Sequence, residues 1–157
     1  MRLTAYTDYT LRTLIYLALN AGRQATIAQI ADTYSISQAH LTKVVHQLGV
    51  GGEIETVRGR NGGLRLKLPA AQINIGAVVR RTEPDLDLVP CFGDAGACAI
   101  GGACMLQLAL HEALAAFLAV LDRTTLADLV APRRRLTAML GIAPPPRSRR
   151  APVGLAS

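Results

Sequence analysis

Thr26-Ile-Ala-Gln-Ile-Ala-Asp-Thr-Tyr-Ser-Ile-Ser-Gln-Ala-His-Leu-Thr-Lys-Val-Val-His-Gln-Leu48 is the stretch on which the reading of this chain turns. Thr26 and Gln29 have the spacing of a capping box, in which the threonine hydroxyl accepts the third helical N–H and the glutamine reaches back to the threonine's own N–H. A short helix is predicted to run from there to about Tyr34. Ser35-Ile-Ser-Gln38 repeats the signal, so a second helix is predicted to open at once. Its apolar residues Leu41, Val44, Val45 and Leu48 fall on one face. Gln38, His40, Thr42, Lys43, His46 and Gln47 are left facing outward, with Ser37 at the entry. Two short helices joined by a tight turn make a helix-turn-helix. An outer face of amide, imidazole, hydroxyl and ammonium groups suits base edges and phosphates in a major groove. A plainly solvated face would carry glutamate, and there is none between 24 and 52.

Downstream, the period changes to two. Leu64-Arg-Leu-Lys-Leu68 alternates, Ile54-Glu-Thr-Val57 can pair with it, and Gly59-Arg-Asn-Gly-Gly63 is a turn with Asn-Gly at its centre. This is a β-hairpin with a basic tip, and after a helix-turn-helix it reads as a wing. Arg58, Arg60 and Arg65, with Asn61 between them, are placed to reach phosphates or a narrow minor groove. Upstream, Leu11, Leu14, Ile15, Ala18 and Leu19 recur at helical spacing over residues 4 to 20, and Asn20 with Gly22 closes that helix. Asp8 lies near its start, where unsatisfied N–H groups favour a carboxylate.

Pro69 ends the wing, and Asn74 is expected to cap a short helix through Arg81. From Cys104 to Leu121 comes the longest apolar helix. Leu106, Leu110, Ala113, Phe117 and Val120 alternate steps of four and three, as in a coiled-coil seam, while Leu108, Leu114, Leu118 and Leu121 make other faces apolar too. A helix apolar nearly all round must be covered, and in a chain of 157 residues the candidate cover is a second copy. Packing within one protomer is the alternative. Thr125-Leu-Ala-Asp-Leu-Val130 reads as a short closing helix.

Between these helices, Cys91-Phe-Gly-Asp-Ala-Gly-Ala-Cys98-Ala-Ile-Gly-Gly-Ala-Cys104 holds all three cysteines of the chain. Three thiolates gathered without a counter-ion repel one another, so the grouping suggests a bound metal. Gly93, Gly96, Gly101 and Gly102 would let the backbone bend tightly around it. A disulfide uses cysteines in pairs and leaves one over. Structural zinc favours a close pair, whereas the gaps here are six and five residues. Buried, inert cysteines are the third alternative. An iron-sulfur cluster fits the loop best, but normally takes four protein ligands where the loop supplies three.

The net charge of +6 is unevenly placed. Residues 1 to 70 carry eight Lys/Arg against four acids, 71 to 131 three against seven, and 132 to 157 six against none. A basic block beside an acidic one suggests a nucleic-acid-binding module joined to one with other duties. No apolar leader opens the chain and no stretch reads as an uninterrupted apolar run able to span a bilayer, so a cytoplasmic protein without a membrane role is expected. Neither a nucleotide-binding loop nor an acid/base pair in a plausible pocket is present, so no enzyme is expected.

Taken together, Thr7-Asp-Tyr-x-Leu-Arg-x-Leu-Ile-Tyr-Leu-Ala18, Arg58-Gly-x-Asn-Gly-Gly-Leu-Arg-Leu66, the three-cysteine loop and Thr125-Leu-Ala-Asp-Leu-Val130 resemble the NsrR family of nitric-oxide-sensing, iron-sulfur winged-helix repressors. The resemblance covers residues 1 to about 130. It implies a homodimer whose cluster-bearing form binds an inverted-repeat operator on double-stranded DNA and lets go when nitric oxide nitrosylates the cluster. The implied cluster is of the 4Fe-4S type, with 2Fe-2S as the alternative. Its implied ligands are Cys91, Cys98 and Cys104, with a carboxylate from the first helix of the partner protomer; the matching position is Asp8. A sibling regulator of iron-sulfur biogenesis, sensing cluster supply, is the alternative function. It has a histidine three residues after the last cysteine, where this chain has Gln107, although His111 stands one turn on.

The expected architecture is therefore mainly α: a winged helix-turn-helix domain over residues 1–69, a cysteine-bearing loop and long dimerisation helix over 70–130, and a basic, disordered tail over 131–157.

Overall fold

The computed structural model describes residues 2–59, 62–94, 98–100 and 103–143. Helix α1 (Ala5–Leu19) is the post on which the other elements lean. Thr4 opens it, its hydroxyl accepting the Thr7 N–H at 3.2 Å. The buried face is not the purely aliphatic stripe that spacing suggests: Leu14, Leu17, Ala18 and Leu19 share it with Thr7, Thr10 and Thr13, while Leu11 and Ile15 are half-buried. Threonine is tolerated there because each hydroxyl is bonded. Thr10 donates to the Tyr6 carbonyl (2.8 Å), Thr13 to the Tyr9 carbonyl (2.7 Å) and Thr7 to the Thr82 hydroxyl (2.9 Å). A buried hydroxyl left unmet would cost about 1–3 kcal/mol.

The box at Thr26 closes as expected and opens α2 (Ile27–Tyr34): Gln29 N donates to Thr26 Oγ1 (3.2 Å) and Thr26 N to Gln29 Oε1 (2.8 Å). Thr26→Ala should cost about 1 kcal/mol, read as a lower urea midpoint at unchanged slope. The second signal is not used as the sequence suggested. Ser35 ends α2 in the left-handed region (φ 54°, ψ 45°), and the next N–H, of buried Ile36, returns to the Ala31 carbonyl at 3.0 Å. A residue that closes one helix left-handed cannot also be the extended opener of the next. Helix α3 (Gln38–Val50) therefore starts after Ser37, with no side-chain cap, and buries Leu41, Val44 and Leu48.

Strands β1 (Ile54–Val57) and β2 (Gly63–Leu66) pair antiparallel, Ile54 opposite Leu66 and Thr56 opposite Leu64. The hairpin is anchored by Leu64, which exchanges hydrogen bonds with Ala25 just before α2 (3.0 and 2.7 Å). A Cβ at Gly63 would stand 2.8 Å from the Ala25 carbonyl oxygen, so only glycine permits that approach.

After a 3-10 turn at Ala70–Gln72, Asn74 caps α4 (Ile75–Thr82) by accepting from Ala77 N at 2.9 Å, and its amide donates to the Asp122 carbonyl at 2.7 Å. Arg80 pairs with the Asp122 side chain and holds that carboxyl below its usual range. Helix α5 (Met105–Asp122) leads into α6 (Leu126–Leu129), whose N–H at Leu126 bonds the Ile73 carbonyl (2.9 Å) and whose Leu126 side chain is fully buried. Thr125 and Asp128 close a second capping box, and hydrogen bonds from Thr125 hold the Asp128 carboxyl below its usual range.

Two expectations need correction. The tail from 131 onward begins as a packed helix, α7 (Arg133–Met139), with Leu136 and Leu140 against the core and Ile142 buried. Arg133 donates to the carbonyls of Ala18 (3.1 Å) and Leu19 (2.7 Å), the orphan acceptors of α1, whose own last turn has no basic residue. The proline-rich remainder, 144–157, lies outside the described residues. The second correction concerns the seam of α5. At 18 residues and mean hydropathy 1.5 this helix is long and apolar enough, by length and composition alone, to cross a membrane, although its apolar run is not uninterrupted. His111, Glu112 and Asp122 interrupt the run without lowering its average far enough. None of its residues is buried within the protomer, and Met105, Leu106, Leu108 and Val120 are 53–73% exposed. The expected seam is divided between two sides: Leu110 and Phe117 are half-buried, whereas Leu106, Ala113 and Val120 face outward.

Candidate DNA-reading face and cysteine site

Helix α3 presents its polar residues to solvent. Ser37, Gln38, His40, Thr42 and Lys43 are all exposed, as are His46 and Gln47. They share this face because Leu41, Val44 and Leu48 are drawn into the core on the other side. The Thr42 hydroxyl is occupied by the Gln38 carbonyl at 2.9 Å, leaving its lone pairs and methyl for an incoming partner. The His40 ring lies 6.1 Å from that of Tyr9, tying the face to α1.

On the wing, Arg58 is exposed at the end of β1. Arg65 is exposed too, but its Nε sits 2.7 Å from Glu55 Oε1 on the facing strand, so reaching a phosphate means giving up that ion pair. Arg60 and Asn61 lie outside the described residues.

Sequence spacing missed two residues beside this face. Tyr6 and Arg81, from α1 and α4, line one groove with Thr42, Lys43, His46 and Gln47. Burial raises the Tyr6 phenol above its ordinary value, partly opposed by Arg81, so it is a neutral donor. Nothing in periodicity places residues 6, 43 and 81 together; the packing of α1 against both α3 and α4 does.

Turning to the loop, Cys91 falls in a 3-10 turn, Pro90–Phe92, and Cys104 is the N-cap of α5. Cys98 lies between them, and all three are free, half-buried thiols. The Cys104 sulfur accepts the Gln107 N–H (3.4 Å), and the Gln107 side chain donates to the Cys91 carbonyl (3.1 Å). One residue thus connects the first and last cysteines. Among the described residues no three of His, Cys, Asp and Glu stand close enough to hold a metal ion. Gly93 takes an ordinary helical-side φ of −84°, while Gly96, Gly101 and Gly102 lie outside the described residues.

Among the described residues, Asp8 forms no metal-holding group with the cysteines. It is half-exposed on α1 and paired with Arg12 one turn on, at 2.9 Å. Arg12 also sits 5.7 Å above the Tyr34 ring. An exposed i,i+4 pair of this kind is worth only about 0.3–0.5 kcal/mol, so Asp8 can be released to another partner at little cost. His111, one turn beyond Gln107, stacks face to face on Phe92 (3.8 Å, 3°), and the Glu83 carboxylate accepts from Thr4 N (2.9 Å) at the start of α1.

A helix-turn-helix, a wing and a polar recognition helix define a DNA-binding transcription regulator of the winged-helix class. Within that class the chain belongs to the Rrf2 family, iron-dependent transcriptional regulators, which matches residues 3–132. It is similar to the HTH-type transcriptional regulators NsrR of Bacillus subtilis, 54% identical over 83% of this chain and 90% of that one, and of Shouchella clausii, 51% identical over 89% and 95%. Among solved structures it resembles oxidized Staphylococcus aureus CymR, with 29% identity, a TM-score of 0.65, and coverage of 82% of this chain and 95% of that one. The NsrR resemblance read from the motifs is borne out, and so is the winged-helix fold.

Proposed function

We propose that this protein is a nitric-oxide-responsive, cytoplasmic repressor, working as a homodimer that binds an inverted-repeat operator while an iron-sulfur cluster is in place. The observation that carries the reading is the cysteine site. Three free, half-buried thiols sit in one loop, the last of them capping a long apolar helix that its own protomer leaves uncovered. The relatives named NsrR, at about half identity over most of the chain, support the same reading. They and the family are described as transcriptional regulators, which also favours a role without catalysis.

The donor set fits iron better than a hard cation: three soft sulfurs, with hydrogen bonding already directed to one of them. Cys91, Cys98 and Cys104 would hold a 4Fe-4S cluster, 2Fe-2S being the alternative, with Asp8 supplied by the partner subunit as fourth ligand. When bound, the cluster supplies an iron open to attack by a small diatomic molecule, most readily where the ligand is a carboxylate rather than a thiolate. The chain's own part is mechanical. Asp8 leaves Arg12 to reach the neighbouring protomer, which ties α1, and the α3 face packed on it, to the state of the loop. The uncovered side of α5, with Leu106, Ala113 and Val120, is the surface on which the two copies meet. The domain division that goes with this is a winged helix through residue 69, a loop and dimer helix to 130, and a C-terminal appendage whose first part, α7, is packed on α1.

Anaerobic purification with iron and sulfide analysis, followed by titration with nitric oxide while operator binding is monitored, tests the proposal. A colourless protein, or one whose DNA affinity ignores nitric oxide, would overturn it. Asp8→Ala is the finer test. As a helix-terminal charge it should cost only about 0.3–1 kcal/mol of stability and change nothing else. As the fourth ligand it should alter the visible absorption and weaken operator binding while the dimer persists; an unchanged spectrum moves the ligand elsewhere. On the DNA side, Gln38→Ala should lose about 1–3 kcal/mol on the operator alone, whereas Arg58→Ala should weaken binding to all sequences and flatten its salt dependence. Equal losses on operator and random DNA for both variants would remove α3 as the reader.

A further inference from the structure

Helix α5 begins in an unusual way. Its N-cap is Cys104, and the residue three on is Gln107. In the box at Thr26 a glutamine at this spacing turns back to its own N-cap N–H. Gln107 does not. Its backbone N–H goes to the Cys104 sulfur, and its side-chain amide is sent to the carbonyl of Cys91, 16 residues upstream.

One turn along the same face of α5, His111 lies flat on Phe92, the residue after Cys91, with ring centroids 3.8 Å apart and planes within 3°. Residues 91 and 92 are thus each gripped by α5, at positions separated by one helical turn. The turn they occupy is itself stiff: Pro90 fixes φ at its start, Phe92 N bonds the Val89 carbonyl (3.0 Å) and Asp94 N the Pro90 carbonyl (3.3 Å).

We propose that Gln107 and His111 form a positioning clamp, holding the Cys91 turn against the Cys104 end of α5 so that two of the three sulfur donors are in place before any metal arrives. The inference rests on the cluster reading for its purpose, but the clamp is a property of the metal-free chain. Its energetic role is preorganisation. A loop tied at both of its outer cysteines has less freedom to lose on loading, and a loaded centre is harder to open by fraying at Cys91. It also assigns His111 a stacking role in place of ligation.

The clamp can be tested with and without metal. In the metal-free protein, alkylation of each cysteine is followed by mass mapping at pH 8. Gln107→Met, which keeps length and loses the donor, and His111→Ala, which loses the stack, should each raise the Cys91 rate about three- to tenfold, the range that one net hydrogen bond or ring contact controls. Cys98 should be unaffected, and His111→Phe, which keeps the stack, should label like the parent. In the reconstituted protein, Gln107→Met should yield iron to a chelator several-fold faster and change the visible circular dichroism. Parent-like Cys91 labelling in both Gln107→Met and His111→Ala overturns the clamp. A parent protein that takes up no iron and sulfide overturns the cluster reading instead, while the labelling rates still decide the clamp.

Discussion

Cys104→Ser is expected to give a colourless protein that folds and dimerises normally yet binds its operator no better than random DNA. The substitution separates the observed role of this residue, capping α5, from its proposed role as a cluster ligand. As the N-cap of α5 the sulfur accepts the Gln107 N–H at a long 3.4 Å, and serine, a preferred cap, would do so at least as well. Stability should therefore hold. As a cluster ligand, however, a serine hydroxyl is harder and a poorer match for iron. Specific regulators bind their sites about 10³-fold or more tightly than other DNA, and this whole margin is at stake if the loaded loop sets the spacing of the two reading heads. Visible absorption, iron and sulfide content, and a mobility-shift titration on operator and scrambled duplexes check the three parts. A Cys104→Ser protein that stays coloured and binds specifically would take Cys104 out of the site.

Arg81→Ala should cost far more stability than an ordinary surface substitution. Its guanidinium pairs with Glu53, whose side chain is only 8% exposed and whose Oε2 has no hydrogen-bond partner among the described residues. Glu53 also anchors the base of the wing, its N–H bonding the Leu48 carbonyl (3.2 Å) and its carbonyl accepting from Lys67 N (2.8 Å). Removing the arginine strands a buried carboxylate, a loss of about 3 kcal/mol. Glu53→Gln keeps the shape without the charge and should cost nearer 1 kcal/mol. The double variant should then be more stable than Arg81→Ala alone, a coupling read from urea unfolding. An Arg81→Ala cost below about 0.5 kcal/mol would mean that the pair behaves as an ordinary surface bridge. Because Arg81 lines the groove beside Lys43 and His46, its loss should also weaken DNA binding regardless of sequence.

Elements whose signals are local were legible from the chain alone. The Thr26–Gln29 box, the α3 stripe of Leu41, Val44 and Leu48, and the cap at Asn74 each depend on residues a few positions apart, and each stands where it was read; the alternation read from Leu64 to Leu68 holds for Leu64 and Leu66, but β2 ends there and Leu68 is exposed. The cysteine loop was equally visible, since three thiols in fourteen residues need no fold to be noticed. Tertiary structure decided what depends on neighbours distant in sequence. Buried threonines on α1 are acceptable only because carbonyls one turn back and Thr82, from another helix, take their hydroxyls. Ser35 was diverted from opening α3 because closing α2 claimed its backbone first. Arg133 found acceptors at the end of α1, more than a hundred residues away, and with buried Ile142 it turned the start of a basic tail into a packed helix. Arg65 was claimed by Glu55 across the hairpin. Helix α5 marks the boundary between the two kinds of information. Its composition says that it must be covered, but which of its sides turns inward is set by α4, because a helix apolar all round carries no pattern from which its orientation could be read.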